Sequence, residues 1–343
     1  MSDLTLYRKY RPTSFSDVLG QDHIVKVLES SIKKGDIGHA YLFSGSRGTG
    51  KTSVARIFAE SVGCSSADLY EIDAASNRGV DEVRAIREAV HTMPYQSKYK
   101  IYILDEAHML TKEAWNALLK TLEEPPKHVI FILATTELEK VPETVVSRCQ
   151  TFLFKRPTQK LLKEMIESVA KGEGYVIEKD AADLVAFLGD GSFRDSESIL
   201  QKVISASEEK KISLSQVELI SGAPRHELLN EVLGGLDKNI ISDALRAVND
   251  AIEENADMKM FTKLLIERVR SILFIRFAPE MLPSIKDEYG EKDFSVLEAI
   301  SKNKETKINS KTLSELLKAF EEINFASHKN IPLELALMRI LGE

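Results

Sequence analysis

Short apolar runs recur through the first half of the chain: Ala40-Tyr41-Leu42-Phe43, Leu69-Tyr70-Glu71-Ile72, Ile101-Tyr102-Ile103-Leu104, Val129-Ile130-Phe131-Ile132-Leu133 and Thr151-Phe152-Leu153-Phe154. Their length and their β-branched and aromatic content read as strands. Between them the apolar positions switch to helical spacing, from Ser53 to Val62, Val80 to Val90 and Glu113 to Glu124. In the last of these, Trp115, Leu118, Leu119 and Leu122 share one face, and Pro125-Pro126 ends the helix. Continuous apolar strands alternating with helices predict an α/β fold, with a parallel sheet covered on both faces.

After Arg156-Pro157 the strand pattern nearly stops. Residues 158–221 read as short helices, opening at an N-cap-like Thr158 and broken at Gly189-Asp190-Gly191-Ser192. Residues 222–343 read as longer amphipathic helices, such as Met260 to Phe277 and Ser310 to Phe325, with Pro224, Pro279, Pro283 and Pro332 near helix ends. No repeat of solenoid length and no low-complexity tail interrupts them. The expected layout is an α/β domain over 1–157, a small helical domain over 158–221 and a helical bundle over 222–343.

The length of 343 residues agrees with two or three domains. With 43% hydrophobic and 29% charged residues, the chain is neither disordered nor membrane-like. It has no run of about 18 apolar residues, which excludes a transmembrane helix. The start, Met1-Ser2-Asp3-Leu4-Thr5-Leu6-Tyr7-Arg8, lacks the build of a secretory signal, so a cytoplasmic protein is expected. The net charge is −7, but residues 1–60 hold nine Lys/Arg against six Asp/Glu. A general basic shell is absent, so any nucleic acid must be held by local patches or helix N-termini. Cys64 and Cys149 are the only cysteines, too few for a Cys-rich zinc site or a disulfide scaffold.

Gly45-Ser46-Arg47-Gly48-Thr49-Gly50-Lys51-Thr52 fits the phosphate-loop pattern G-x-x-x-x-G-K-[ST], placed between a predicted strand and a predicted helix as the motif requires. Glycines let backbone N–H groups curl around a phosphate, and the helix N-terminus adds positive partial charge. Lys51 can reach the β- and γ-phosphates of ATP, and the Thr52 hydroxyl can ligate Mg²⁺. Asp105 and Glu106 end another apolar strand, at the edge where open α/β sheets bind ligands. Asp105 is expected in the Mg²⁺ shell, and Glu106 is expected to orient and polarise the attacking water. A helix-capping role is the alternative for this pair. For His108, packing or surface exposure accounts for the residue as well as function does.

The sequence resembles the bacterial DNA polymerase III clamp-loader ATPases of the gamma/tau family, within the AAA+ superfamily. The resemblance is carried by Tyr10-Arg11-Pro12, Val18-Leu19-Gly20-Gln21, Gly38-His39-Ala40-Tyr41-Leu42-Phe43 with the phosphate loop, Glu71-Ile72-Asp73-Ala74-Ala75-Ser76 and Leu104-Asp105-Glu106-Ala107-His108-Met109-Leu110. It continues through Asn116-Ala117-Leu118-Leu119-Lys120-Thr121-Leu122-Glu123-Glu124-Pro125-Pro126, Ala134-Thr135-Thr136 and Ser147-Arg148-Cys149. It is dense over residues 7–200.

The resemblance implies an AAA+ P-loop domain, a small helical lid and a C-terminal helical collar. It implies ATP hydrolysis that opens a sliding clamp and loads it on primed DNA, in an enzyme that as a holoenzyme subunit falls with the DNA-directed DNA polymerases. Thr136 would be sensor 1, Arg194 sensor 2, and Arg148 an arginine finger for a neighbouring subunit's ATP. Tyr10, Arg11 and Val18 would line the adenine side, a role for which core packing is the alternative. The implied partners are delta and delta-prime type subunits in a hetero-pentamer, the sliding clamp, and primer–template DNA held by its phosphates. Arg84 and Lys112, near helix starts, are the candidate DNA contacts. No membrane is involved, and the protein would work at replication forks on the nucleoid.

One departure stands out. The family usually carries a Cys-rich zinc module after the phosphate-loop helix, whereas here Cys64 is followed by Ser65-Ser66-Ala67-Asp68, so no zinc is expected. The chain is also expected to lack the tau-type extension. Two other readings compete: a non-catalytic delta-prime-like scaffold, and another AAA+ machine such as a Holliday-junction branch-migration ATPase.

Overall fold

A computed structural model describes residues 5–289 and 291–342. The chain divides into two compact units, Met1–Leu162 with Gly189–Ser198, and Lys163–Leu188 with Ile199–Glu343.

The first unit contains, in order, α1 (Leu6–Lys9), α2 (Asp22–Lys34), β1 (Ala40–Ser44), α3 (Lys51–Ser61), β2 (Leu69–Asp73), α4 (Val80–Ala89), β3 (Lys100–Asp105), α5 (Lys112–Glu123), β4 (Val129–Thr135), α6 (Glu143–Val146) and β5 (Gln150–Leu153). The five strands form one all-parallel sheet of order β2-β3-β4-β1-β5. Each predicted strand and helix core is found, with boundaries moved by one or two residues.

The three central strands, β1, β3 and β4, are buried on both faces, and the pleat sorts the side chains. Ala40, Leu42, Tyr102, Leu104, Phe131 and Leu133 pack with Trp115, Leu118 and Leu122 of α5. Tyr41, Phe43, Ile101, Ile103, Ile130 and Ile132 pack on the other side with Ile24 and Leu28 of α2 and Val54 and Phe58 of α3. Period-2 alternation with both faces apolar is why the strands read as unbroken hydrophobic runs. The register pairs Ser44 with Thr135 and Leu104 with Leu133. The C-terminal ends of β1, β3 and β4 therefore form one rim of the sheet.

The loop entering β3 is fastened by one carboxylate. Asp68 accepts the backbone N–H groups of Tyr95, Gln96 and Ser97 at 2.5, 2.9 and 2.8 Å. Burial would raise its pKa, but these donors outweigh burial and hold the carboxyl well below its usual range.

The chain continues with α7 (Gln159–Gly172), β6 (Val176–Ile177), α8 (Lys179–Leu188), α9 (Phe193–Ala206), β7 (Lys211–Ile212), α10 (Leu214–Ser221), α11 (His226–Lys238), α12 (Ile241–Glu253), α13 (Met258–Phe277), α14 (Leu282–Glu288), α15 (Glu291–Lys302), α16 (Ser310–Glu322) and α17 (Ile331–Leu341). The first turns of α9 belong to the first unit. In the second unit β6 and β7 form a two-residue parallel pair. The core from α11 onward centres on Leu229, Val232, Val248, Phe261, Leu265, Val269, Leu297, Leu316 and Leu337.

Candidate nucleotide site

β1 ends at Ser44, and the loop Gly45 to Gly50 carries the chain over the rim into α3. Gly48 has φ 71° and Gly50 φ 97°, left-handed values that a side chain resists. Gly48 faces a second constraint: a Cβ there would lie 1.9 Å from Ser192 Oγ. The turn preceding α9 sits directly on the loop, where the Phe193 N–H donates to the Gly48 carbonyl at 3.0 Å.

Lys51 is the first residue of α3 and is 6% exposed. Its ammonium donates to the Gly45 and Ser46 carbonyls at 2.8 and 2.9 Å. An ammonium has three donors, so one remains for an incoming oxygen. Burial lowers the Lys51 pKa, while Glu106 and Asp105 pull it back up. Thr49 Oγ1 donates to the Ser46 carbonyl at 2.9 Å and keeps the loop closed on itself.

Across the rim, Thr52 Oγ1 donates to Asp105 Oδ2 at 2.7 Å. A hydroxyl and a carboxylate in contact are the hard oxygen donors that Mg²⁺ takes alongside phosphate oxygens, so these residues fit that ion. The other carboxylate oxygen, Asp105 Oδ1, accepts the Glu106 N–H at 3.0 Å. Glu106 is in the left-handed region at φ 48°, ψ 43°. For a residue with a Cβ this costs about 1–3 kcal/mol, and such strain concentrates at functional sites. Thr136 Oγ1, one residue past β4, donates to Glu106 Oε2 at 3.1 Å.

The structure thus gathers Lys51, Thr52, Asp105, Glu106 and Thr136 on one rim. Arg11 borders this group. Its Nε donates to Ser53 Oγ at 3.0 Å. Burial lowers its pKa first; Arg56 and Arg194 add to that, and Glu71 and Asp105 oppose it. Arg194 follows the Gly48 contact by one residue, and its guanidinium lies over the Tyr7 ring at 4.9 Å.

Arg148 donates to the Thr144 carbonyl at 2.5 Å, Ser147 Oγ at 3.3 Å and Glu123 Oε1 at 2.7 Å. Val18 is buried in the α2–α3 side of the core, and Tyr10 ends α1. Arg84 pairs with Asp81 at 3.1 Å on the exposed face of α4, whose first turn also carries the acidic Glu82. Lys112 is exposed at the start of α5, which Thr111 caps by accepting the Ala114 N–H. Cys64 is buried, and burial pushes its thiol up to about 11. Among the described residues, no group of three or more His, Cys, Asp or Glu could hold a metal ion.

Sequence reasoning did not find Ser192 on Gly48, Tyr7 beneath Arg194, or Glu123 beside Arg148. Each is a contact across distant segments, with no local pattern to announce it.

The all-parallel sheet covered by helices, with the phosphate-loop sequence after β1 and the acidic pair at the end of β3, has the AAA+ fold. Among solved structures, the Thermotoga maritima RuvB Holliday junction branch migration motor shares that fold at TM-score 0.53 and 22% identity, over 66% of this chain and 79% of the other. The family described as DNA polymerase III, delta subunit matches residues 20–79 and 66–158. DNA polymerase III subunit tau of Bacillus subtilis is 37% identical over 99% of this chain and 63% of its own length. Subunit gamma/tau of Mycoplasma pneumoniae is 45% identical over 62% of this chain and 34% of its own length, and that of Mycobacterium bovis is 35% identical over 81% and 52%. The chain is similar to DNA polymerase III tau and gamma/tau subunits over most of its own length, and it spans about three-fifths or less of the length of these relatives. Among the described residues, no helix is long and apolar enough to cross a membrane.

Proposed function

We propose that this chain is an ATP-hydrolysing clamp-loader subunit that opens a sliding clamp and places it on primed DNA. The observation that carries the reading is the convergence of Lys51, Thr52, Asp105, Glu106 and Thr136 on one rim of the sheet. A non-catalytic scaffold has no need of this set.

Lys51 and the N–H groups of the loop bind the phosphates of ATP, and Thr52 and Asp105 would hold Mg²⁺, which would supply charge neutralisation to the phosphates. Glu106 accepts a proton from the water that attacks the γ-phosphorus, and Thr136 orients that carboxylate. Arg194 reads the nucleotide state from the start of α9. Arg148 completes a neighbouring subunit's site, and Tyr10, Arg11 and Val18 stand on the adenine side. ATP binding and hydrolysis bias a conformational equilibrium, and no DNA bond is made or broken.

The three-part division into a P-loop domain (1–157), a lid (158–221) and a collar (222–343) belongs to this reading. So do a hetero-pentamer with delta and delta-prime type subunits, phosphate contacts to DNA through Arg84 and Lys112, the absence of bound zinc, and work in the cytoplasm at replication forks.

The test is Mg-ATP titration and turnover with clamp and primed DNA. Lys51→Ala is expected to weaken nucleotide binding about 10–100-fold, the worth of a charge-assisted hydrogen-bond donor. Unchanged affinity in that variant, or wild-type turnover that ignores clamp and primed DNA, overturns the reading.

A further inference from the structure

We propose that His108 is a positioning residue for the Glu106 carboxylate, held in place by Glu137. The inference rests on the reading of Glu106 as the group that activates water.

The His108 side chain is only 7% exposed, in the short 3-10 turn Ala107–Met109 that follows the acidic pair. Three groups surround its ring. Nε2 lies 3.2 Å from Glu137 Oε1. Nδ1 lies 3.1 Å from Thr135 Oγ1 and 3.4 Å from Glu106 Oε2. A carboxylate only accepts, so Nε2–H donates to Glu137, and Nδ1, the acceptor of that tautomer, takes the Thr135 hydroxyl. That anchor is itself fixed. The other Glu137 oxygen meets Lys140 at 2.7 Å, and the Glu137 N–H donates to Thr135 Oγ1 at 3.1 Å. Thr135 is fully buried at the end of β4.

The Glu106 backbone is pinned in a strained conformation by Asp105, but its long side chain can still turn about its own bonds. Its Oε2 accepts from Thr136 Oγ1 at 3.1 Å, and the rigidly mounted His108 ring walls off its other side, with Nδ1 at 3.4 Å and no hydrogen bond between them in this tautomer. Oε1 is thereby left for a water. Misplacing a reacting group by about 1 Å costs on the order of a hundredfold in rate, so a support of this kind acts on turnover rather than on nucleotide affinity. None of the His108 partners is expected to touch the phosphates.

The experiment compares wild type, His108→Phe, Glu137→Gln and the double variant as full chains in the assembled complex. It measures Mg-ATP affinity and single-turnover hydrolysis separately. His108→Phe is expected to slow hydrolysis about 10–100-fold while affinity stays within about twofold. Glu137→Gln is expected to slow it about 3–10-fold and to add nothing in the His108→Phe background, because the two act as one unit. Glu137 is over a third exposed, so its variant tests the idea even where His108→Phe folds poorly. Glu106→Gln serves as the control. If it hydrolyses ATP like wild type, the assignment of Glu106 fails, and this proposal with it. If it is dead while Glu137→Gln runs at the wild-type rate, or while affinity falls in step with rate in the variants, only the positioning role is overturned.

Discussion

Both units bury ionic side chains, but they use them differently. In the helical unit, Arg268 of α13 is 7% exposed and donates to Asp293 Oδ2 at 2.6 Å and to Asn230 Oδ1. Asn230 donates in turn to Asp293 Oδ1 at 2.9 Å, which closes a triangle among α11, α13 and α15. Arg276 donates to four carbonyls, those of Ile300, Ser301, Asn303 and Ile308, at the end of α15 and in the loop beyond it. These groups are committed to their own fold. At the sheet rim, on the function proposed above, the partners are exchangeable instead. Lys51 rests on two loop carbonyls that a phosphate can outcompete, and Thr52 and Asp105 lean on each other where Mg²⁺ can come between them. Burial of a charge therefore does not by itself mark a site; the kind of partner that holds the charge does.

The sharpest way to break this contrast is to remove one committed cation. Arg268→Ala leaves Asp293 partly buried with its charge uncompensated, which costs about 3–5 kcal/mol. Chemical denaturation should show that loss in the helical unit, with Mg-ATP affinity unchanged below the transition. Lys51→Ala should do the reverse, losing nucleotide while the midpoint of unfolding stays put. Equal effects of both variants on both readouts would erase the distinction.

How much of this was legible in the sequence follows the same line. The phosphate loop is eight consecutive residues, and the acidic pair ends one strand, so both could be read locally. The central strands could be read because burial on both faces leaves them unbroken apolar runs. The order β2-β3-β4-β1-β5 could not, because nothing in a strand names its neighbour. The pair β6–β7 is two residues long, too short to show alternation. The contacts that mount the site were equally silent, since Ser192 on Gly48 and Glu137 on His108 meet only once the chain has folded. Val18 illustrates the remaining ambiguity: an apolar residue near a motif reads alike as a base contact or as core, and the structure places it among Ile24, Tyr41 and Phe43.

Glu197 of α9 sharpens the comparison from the other side, as a buried charge with neither kind of commitment. It is 7% exposed, and burial pushes its carboxyl up to about 7 from an ordinary value near 4.5. Between those two values the folded chain binds the proton and the unfolded chain releases it, so stability falls as pH rises through that window. The full difference is about 3 kcal/mol above pH 7. Glu197→Gln should remove the slope, making the variant more stable than wild type at pH 8 and equal to it at pH 4. Parallel stability–pH curves for the two proteins would show that Glu197 is charged in the fold and has a partner there.

The smallest effect is expected where an ion pair lies near the site but in solvent. Arg56 of α3 grips Glu71 of β2 with both prongs, Nε to Oε2 and a terminal nitrogen to Oε1, each at 2.6 Å. The geometry is as good as that of Arg268, yet the two side chains are 44% and 33% exposed. Water already solvates both charges, so Arg56→Ala should cost no more than about 1 kcal/mol, and raising the salt should shrink even that. Because Arg56 also presses on the neighbouring Arg11 electrostatically, its removal relieves a like charge beside the rim rather than emptying it. Urea denaturation at low and high salt decides the matter. A loss above about 2 kcal/mol that persists at 1 M salt would mean that good geometry alone commits an ion pair to the fold, whatever its burial, and the distinction between the two regions would have to be redrawn on geometry.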